Sequence, residues 1–141
     1  MESNSNRFEL VDSDERLNEL CQELCSEKLL ALDTEFVRTN TFYGQLGLIQ
    51  LYAAQRCYLI DPIKVNVWDT FCEILCEPAR LVILHSASED LNLLSTSLNI
   101  TPSRLFDSQI AGAFLGLGFL SLIHISAPTR RTPMSDGGVC L

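Results

Sequence analysis

The stretch LLALDTEF, residues 29–36, decides how this chain is read. Four apolar residues lead straight into two carboxylates one residue apart. An apolar run of this kind matches a strand buried on both faces. In a strand, Asp33 and Glu35 point to one side and Thr34 to the other, so two like charges share a face where hydration is hard. Solvent at the strand end is one answer to that repulsion. A bound cation is the other, and the buried character of LLAL favours it.

The flanking sequence supplies the rest of an α/β fold. Upstream, Asp12, Ser13 or Asp14 can cap a helix to about Ser26, with Leu17, Leu20, Leu24 and two cysteines as its apolar stripe. Downstream, FYGQLGLIQLYAA (42–54) and RCYLIDP (56–62) have strand composition, with Gln55 and Arg56 as the hairpin turn and Pro62 as the stop. Asn66 can cap a helix to about Cys76 that ends before Pro78, and residues 81–84 form a fourth, buried strand. Ser86 to Glu89 has the form of a capping box and opens the next helix. A last helix starts near Asp107 and runs into an apolar stretch. The pattern predicts an α/β architecture, a mixed sheet flanked by helices.

Composition bounds the function. A chain of 141 residues with 47% hydrophobic content can build one domain with a real core. The first sixteen residues, MESNSNRFELVDSDER, lack the apolar segment of a secretory signal, which predicts a cytoplasmic protein. The apolar run IAGAFLGLGFLSLIHI (110–125) is shorter than the ~20 residues of a membrane span and is broken by glycines, so it predicts a buried helix and no membrane partner. Cys21 with Cys25, and Cys72 with Cys76, sit four apart in helix-like sequence, where they share a face but cannot close a disulfide. They predict core residues in a reducing compartment rather than a zinc site. A net charge of −8 argues against nucleic-acid binding by a broad basic surface. It does not exclude an acidic site that recruits cations, which then meet phosphate.

Asp90 extends that possibility. An acid in the first turn of a helix interacts well with the helix dipole, and this alone accounts for many such residues. Here the helix follows directly on the strand LVILH (81–85), so Asp90 emerges from a strand end as Asp33 and Glu35 do. If the two strands are neighbours, three hard oxygen donors converge. Such donors suit Mg²⁺ or Mn²⁺, and a two-metal site of this kind can hydrolyse a phosphodiester.

These residues carry a resemblance. LALDTEFVRTNTFYGQLGLIQL (30–51), YLIDP (58–62), HSASEDLNLL (85–94) and LFDSQIAGAFLGLG (105–118) resemble successive landmarks of the ribonuclease D family, 3′ to 5′ exoribonucleases of the DEDD superfamily. The match spans about residues 8–122. It implies a ribonuclease H-like fold, with Asp33 and Glu35 as first-motif metal ligands, Asp90 as the second-motif ligand, and all three as catalytic groups. It also places Thr34, Phe36, Gln45, Gln50 and His85 beside the substrate's terminal nucleotide. A histidine at a strand end also serves as a structural hydrogen-bonding group. Asp107 matches an acidic position that is not a metal ligand, and a helix cap is its expected role.

The resemblance stops short of the third motif, Tyr-x-x-x-Asp, which supplies a fourth carboxylate and a tyrosine that orients the attacking water. Tyr43, Tyr52 and Tyr58 all lie upstream, and no tyrosine stands near Asp136. From about Ser121 the sequence, SLIHISAPTRRTPMSDGGVCL, is rich in Pro, Ser, Thr and Gly without period, and it resembles translated cloning or adaptor sequence. The expected organisation is therefore an N-terminal portion of an exonuclease domain (1–122), with the C-terminal part of the fold missing, followed by a disordered, non-family tail (123–141). The expected function is a ribonuclease D-like, Mg²⁺- or Mn²⁺-dependent exoribonuclease fragment acting on RNA 3′ ends such as tRNA precursors, inactive as this chain because its two-metal site is incomplete. Two alternatives stay open: a non-catalytic nucleic-acid-binding or protein-interaction member of the fold, and a DNA 3′ to 5′ exonuclease. No signal sets the oligomeric state.

Overall fold

The computed structural model describes residues 8–37 and 44–117. In chain order the elements are β1 (Phe8–Val11), α1 (Asp14–Glu23), β2 (Leu29–Val37), β3 (Gln45–Ala53), β4 (Arg56–Ile60), α2 (Asp69–Cys76), β5 (Leu81–Leu84), α3 (Ser88–Leu98), β6 (Leu105–Asp107) and α4 (Ser108–Phe114). The strands form one mixed sheet in the order β1-β4-β3-β2-β5-β6. A meander of β2, β3 and β4 is antiparallel, while β1 joins β4, β5 joins β2 and β6 joins β5 in parallel. β2 thus lies centrally, between an antiparallel and a parallel neighbour.

Alternation along the strands sets the layers. Leu30 and Leu32, Ile49 and Leu51, Tyr58 and Ile60, and Val82 and Leu84 are buried with Leu17 and Leu20 of α1, Phe71 and Leu75 of α2, and Leu94 of α3. The intervening residues face the other side, where Leu29 and Tyr52 are exposed. The buried-on-both-faces expectation for LLAL is therefore corrected: among the described residues, β2 buries one face.

Several boundaries differ from the sequence pattern for local reasons. The β3–β4 turn is Ala54-Gln55, both with positive φ (48° and 63°), the conformation that matches hairpin twist, and this leaves Arg56 inside β4. Asn66 does not cap α2. Its N–H and that of Val67 donate to Asp14 Oδ1, at 2.7 and 3.0 Å, and the helix opens later, after Trp68. Those two donors hold the Asp14 carboxyl below its ordinary range. Ser13 does cap α1, accepting from Arg16 N. β1 and β6 are not signalled in the sequence, being only four and three residues long. Cys25 lies beyond α1, while burial pushes the Cys21 thiol up to about 11. Cys21, Cys25, Cys57, Cys72 and Cys76 are all free thiols.

Neither α1 nor α2 carries a basic residue in its last turn. Arg80 serves both ends instead. Buried to 4% exposure, it donates to Leu24 O and Cys25 O after α1, to Glu27 O, and to Ile74 O in α2. Carbonyls orphaned at helix C-termini thereby gain a charged donor, and the start of β5 is locked against both helices. The expectations for residues 123–141, and for the apolar helix past residue 117, lie outside the described residues.

Candidate functional site

The central strand brings the first two acids to the end of the sheet. Asp33 pairs with Gln50 and Glu35 with Leu48 across β3, and a bulge follows between Glu35 and Phe36. β5 stops earlier: its last pair with β2 is Ala31 with Ile83. Beyond that point the edge of β2 is open on the β5 side, and α3 fills the opening with Asp90. Thr34 N–H donates to Asp90 Oδ1 at 2.9 Å, and the Thr34 hydroxyl donates to the same oxygen. Asp90 is thus tied to the residue between Asp33 and Glu35.

Electrostatics report the same proximity. Burial raises the Asp33 carboxyl above its ordinary range, and the charges of Asp90 and Glu35 push it further the same way. The charges of Asp90 and Glu35 therefore oppose the ionisation of Asp33. Their chemistry, hard anionic oxygens at the end of one strand, fits a hard divalent cation. Their placement is looser than a coordination sphere: among the described residues, no three His, Cys, Asp or Glu side chains are set to hold one ion together.

The turn that carries α3 is built from another strand. Ser86 has a left-handed φ of 57°, and α3 opens after Ala87 with no side-chain cap, so the capping box expected from Ser86 to Glu89 does not form. Asp107 takes over, accepting from Ser86 N at 3.1 Å and Ala87 N at 2.8 Å. It also caps α4 through Gln109 N and Ile110 N, the role its position implied. Burial alone would raise this carboxyl, but the four backbone donors outweigh it and hold the group below its ordinary range. Sequence reasoning missed the first half of this role, since nothing local links Asp107 to a turn twenty residues earlier.

The expected substrate-side residues divide. Asp33, Gln50 and His85 line one cleft of about 310 Å³ on the sheet face away from α1, α2 and α3, together with Ala31, Tyr52 and Ile83. Gln45 lies elsewhere. It lines a cavity of about 770 Å³ with Leu46, Trp68 and Leu98, beyond the register shift that separates it from Gln50. Phe36, just past the bulge, is partly exposed. His85 Nδ1 lies 2.8 Å from Ser108 Oγ, whose own proton is directed at Leu84 O, so the ring is oriented structurally beside Asp33. Thr34 is engaged with Asp90.

A mixed sheet with three helices packed on one face, with two acids toward the end of β2 and a third in the helix that follows its parallel neighbour β5, is a ribonuclease H-like arrangement. Comparison with known proteins agrees. The 3′-5′ exonuclease family model matches residues 8–126. Ribonuclease D of Musicola paradisiaca is 43% identical over 120 residues, and that of Escherichia coli 39% over 121, covering 82% and 83% of this chain. The crystal structure of Escherichia coli RNase D superposes with a TM-score of 0.74 at 32% identity, covering 92% of this chain and 38% of that one. The chain belongs to the 3′-5′ exonuclease family, among the ribonuclease D proteins. It spans about a third of the length of the curated relatives it matches, 32% for each of the two named above.

Proposed function

We propose that this chain is part of a metal-dependent 3′ to 5′ exoribonuclease that hydrolyses phosphodiesters at RNA 3′ ends, with tRNA precursors as the substrate class and the cytoplasm as the compartment. The reading is supported chiefly by the junction of Asp90 with Thr34, the residue between Asp33 and Glu35 in β2. The names of the relatives point the same way, and the Escherichia coli enzyme is described as an exoribonuclease involved in structured RNA processing. No helix among the described residues is long and apolar enough to cross a membrane.

Asp33, Glu35 and Asp90 would hold Mg²⁺ or Mn²⁺. Such ions, when bound, polarise the phosphate and activate water. The chain's own part would be to carry two of these carboxylates on β2 and the third on α3, and to present the cleft beside Asp33. There Gln50 offers hydrogen bonds to a sugar or base, and Tyr52 and Ile83 offer apolar contact. The 141 residues contain no Tyr-x-x-x-Asp, so one carboxylate and the water-orienting tyrosine of the family are not supplied by this sequence. Both would act on the transition state, where positioning and charge stabilisation supply most of the rate.

The chain as written is therefore expected to show little or no turnover. Replacing the residues after Leu122 with a family segment containing Tyr-x-x-x-Asp should produce Mg²⁺-dependent release of nucleotides from an RNA 3′ end. Glu35→Gln in that chimera should lower the rate by about 100-fold or more. RNA and DNA oligonucleotides digested side by side separate the ribonuclease from a DNA exonuclease. A chimera that binds RNA and releases nothing identifies a non-catalytic member of the fold.

A further inference from the structure

We propose that the sheet face turned away from α1, α2 and α3 is an interface between two copies of this chain, paired face to face about a two-fold axis that lies over the gap between β2 and β3. This goes beyond the reading of the acids and does not depend on it.

Register builds the face. Residues paired across neighbouring strands emerge on the same side of a sheet. Phe8 pairs with Cys57, Cys57 with Tyr52, Tyr52 with Ala31, Ala31 with Ile83 and Ile83 with Phe106, so one row of uncharged residues crosses all six strands. Leu10 and Leu59 extend the row on one side, Leu29 and Leu81 on the other. Phe8, Leu10, Leu29, Tyr52 and Phe106 are about half exposed. A continuous exposed apolar face of this extent marks an interaction surface. The acids on this side of β2, Asp33 and Glu35, stand beyond the row toward the strand end.

The row is also complementary to itself. With six strands, the centre of the sheet falls between Tyr52 of β3 and Ala31 of β2. Turning a second copy about that centre lays Tyr52 of each copy over Ala31 of the other, and Cys57 of each over Ile83 of the other, while Phe8 meets Phe106 at the rim. Each bulky inner residue therefore meets a small one, as an isologous contact requires. The cleft of about 310 Å³ beside Tyr52, lined by Ala31, Cys57 and Ile83, gives the incoming ring its seat. Sheets pack face to face about 10 Å apart, and the angle of about 30° between them turns the outer strands more than the centre. Six strands about 4.8 Å apart and three rows about 7 Å apart make a face of roughly 500 Å², so a pair buries roughly 1,000 Å², the range of a reversible contact. The same face presents Asp33 in that cleft, so the pair closes the cleft and the single copy leaves it open.

The test is sedimentation velocity of the 141-residue chain, with folding of each variant checked by circular dichroism. Wild type is expected to pass from one copy to two between about 5 and about 200 µM and to go no further. Tyr52→Lys, at an exposed position, and Ala31→Glu, in the small seat opposite, should each weaken pairing about 30-fold or more. An equimolar mixture of the two variants should recover pairs, since the new cation then lies over the new anion. Leu29→Lys, on the same face, replaces either variant if it fails to fold. Ile63→Lys, beside Trp68 and Leu98 on the other side of the sheet, should pair like wild type. A wild type that stays single at about 200 µM, association that continues past two copies, or Tyr52→Lys pairing as tightly as wild type overturns the proposal. So does a mixture that stays unpaired. A single chain whose Cys57 thiol resists alkylation, read by peptide mass, overturns it in favour of a segment of the same chain on this face.

Discussion

At the scale of single residues, Asp33 shows how clustered carboxylates burden the protein that carries them. Its carboxyl is raised by burial first and by Asp90 and Glu35 next. A raised carboxyl binds its proton more tightly in the folded state than in the unfolded one, so its ionisation as pH rises takes stability away. Asp33→Asn should therefore raise the melting temperature of the metal-free chain and, in the same protein, remove most Mn²⁺ binding. Thermal melts with and without Mn²⁺ measure both, and a lower melting temperature for the variant would contradict the account. Arg80 presents the reverse case, a buried charge that is fully used. Arg80→Met removes donors from Leu24 O, Cys25 O, Glu27 O and Ile74 O together. Urea denaturation should show a loss of about 3 kcal/mol or more, since bonds to a charged group are worth about 1.5–3 kcal/mol and the carbonyls stay buried.

Between elements, the site depends on two close fits. Asp107 closes the β5–α3 turn and caps α4, so Asp107→Ala should cost about 1–2 kcal/mol, the range of a lost cap. Its folded carboxyl lies below the ordinary value, so its contribution is present above the unfolded value of about 4 and is lost as pH falls through the folded one. Urea midpoints measured from pH 5 down to pH 3 should fall less steeply for Asp107→Asn than for wild type. The second fit is between β2 and β3 at the bulge. A Cβ on Gly47 would stand 2.5 Å from Val37 Cγ2 and 3.3 Å from Glu35 O. Gly47→Ala should therefore force the strands apart beside Glu35. The expected loss is about 1–3 kcal/mol, read from the shift in urea midpoint, as is usual for overpacking.

Over the whole molecule, charge constrains how the proposed RNA substrate could bind. The chain carries a net charge of −8, and three of its six described Lys and Arg side chains are engaged with the protein itself. Arg16 bridges Glu9, Glu19 and Glu23, Lys64 bridges Asp12, and Arg80 is buried among carbonyls. Binding driven by many phosphate contacts weakens steeply with salt, because counterions are released. Here RNA binding should depend on Mn²⁺ and vary only weakly with KCl between 50 and 200 mM, roughly 10-fold or less. Fluorescence anisotropy with a labelled oligonucleotide checks this. A loss of about 1,000-fold over that range would mean that a basic surface, not the acidic site, holds the RNA.

What the sequence determined by itself was local chemistry. The paired acids, the hydrophobic period of α1 and the cap at Asp107 follow from residues close in the chain and were legible there, while LLAL marked a strand without showing which of its faces is buried. The ribonuclease H-like architecture was legible too, through blocks of residues that resemble a known family. Contacts across tens of residues were not. The donation of Thr34 to Asp90, the use of Asp107 by Ser86 and Ala87, and the service of Arg80 to two helices exist only because strands distant in sequence become neighbours. The short strands β1 and β6 carry too few residues for a period to show, and pairing with β4 and β5 alone makes them strands. The bulge after Glu35 and the separation of Gln45 from Gln50 depend on register, which two-residue alternation can state only once the partner strand is in place.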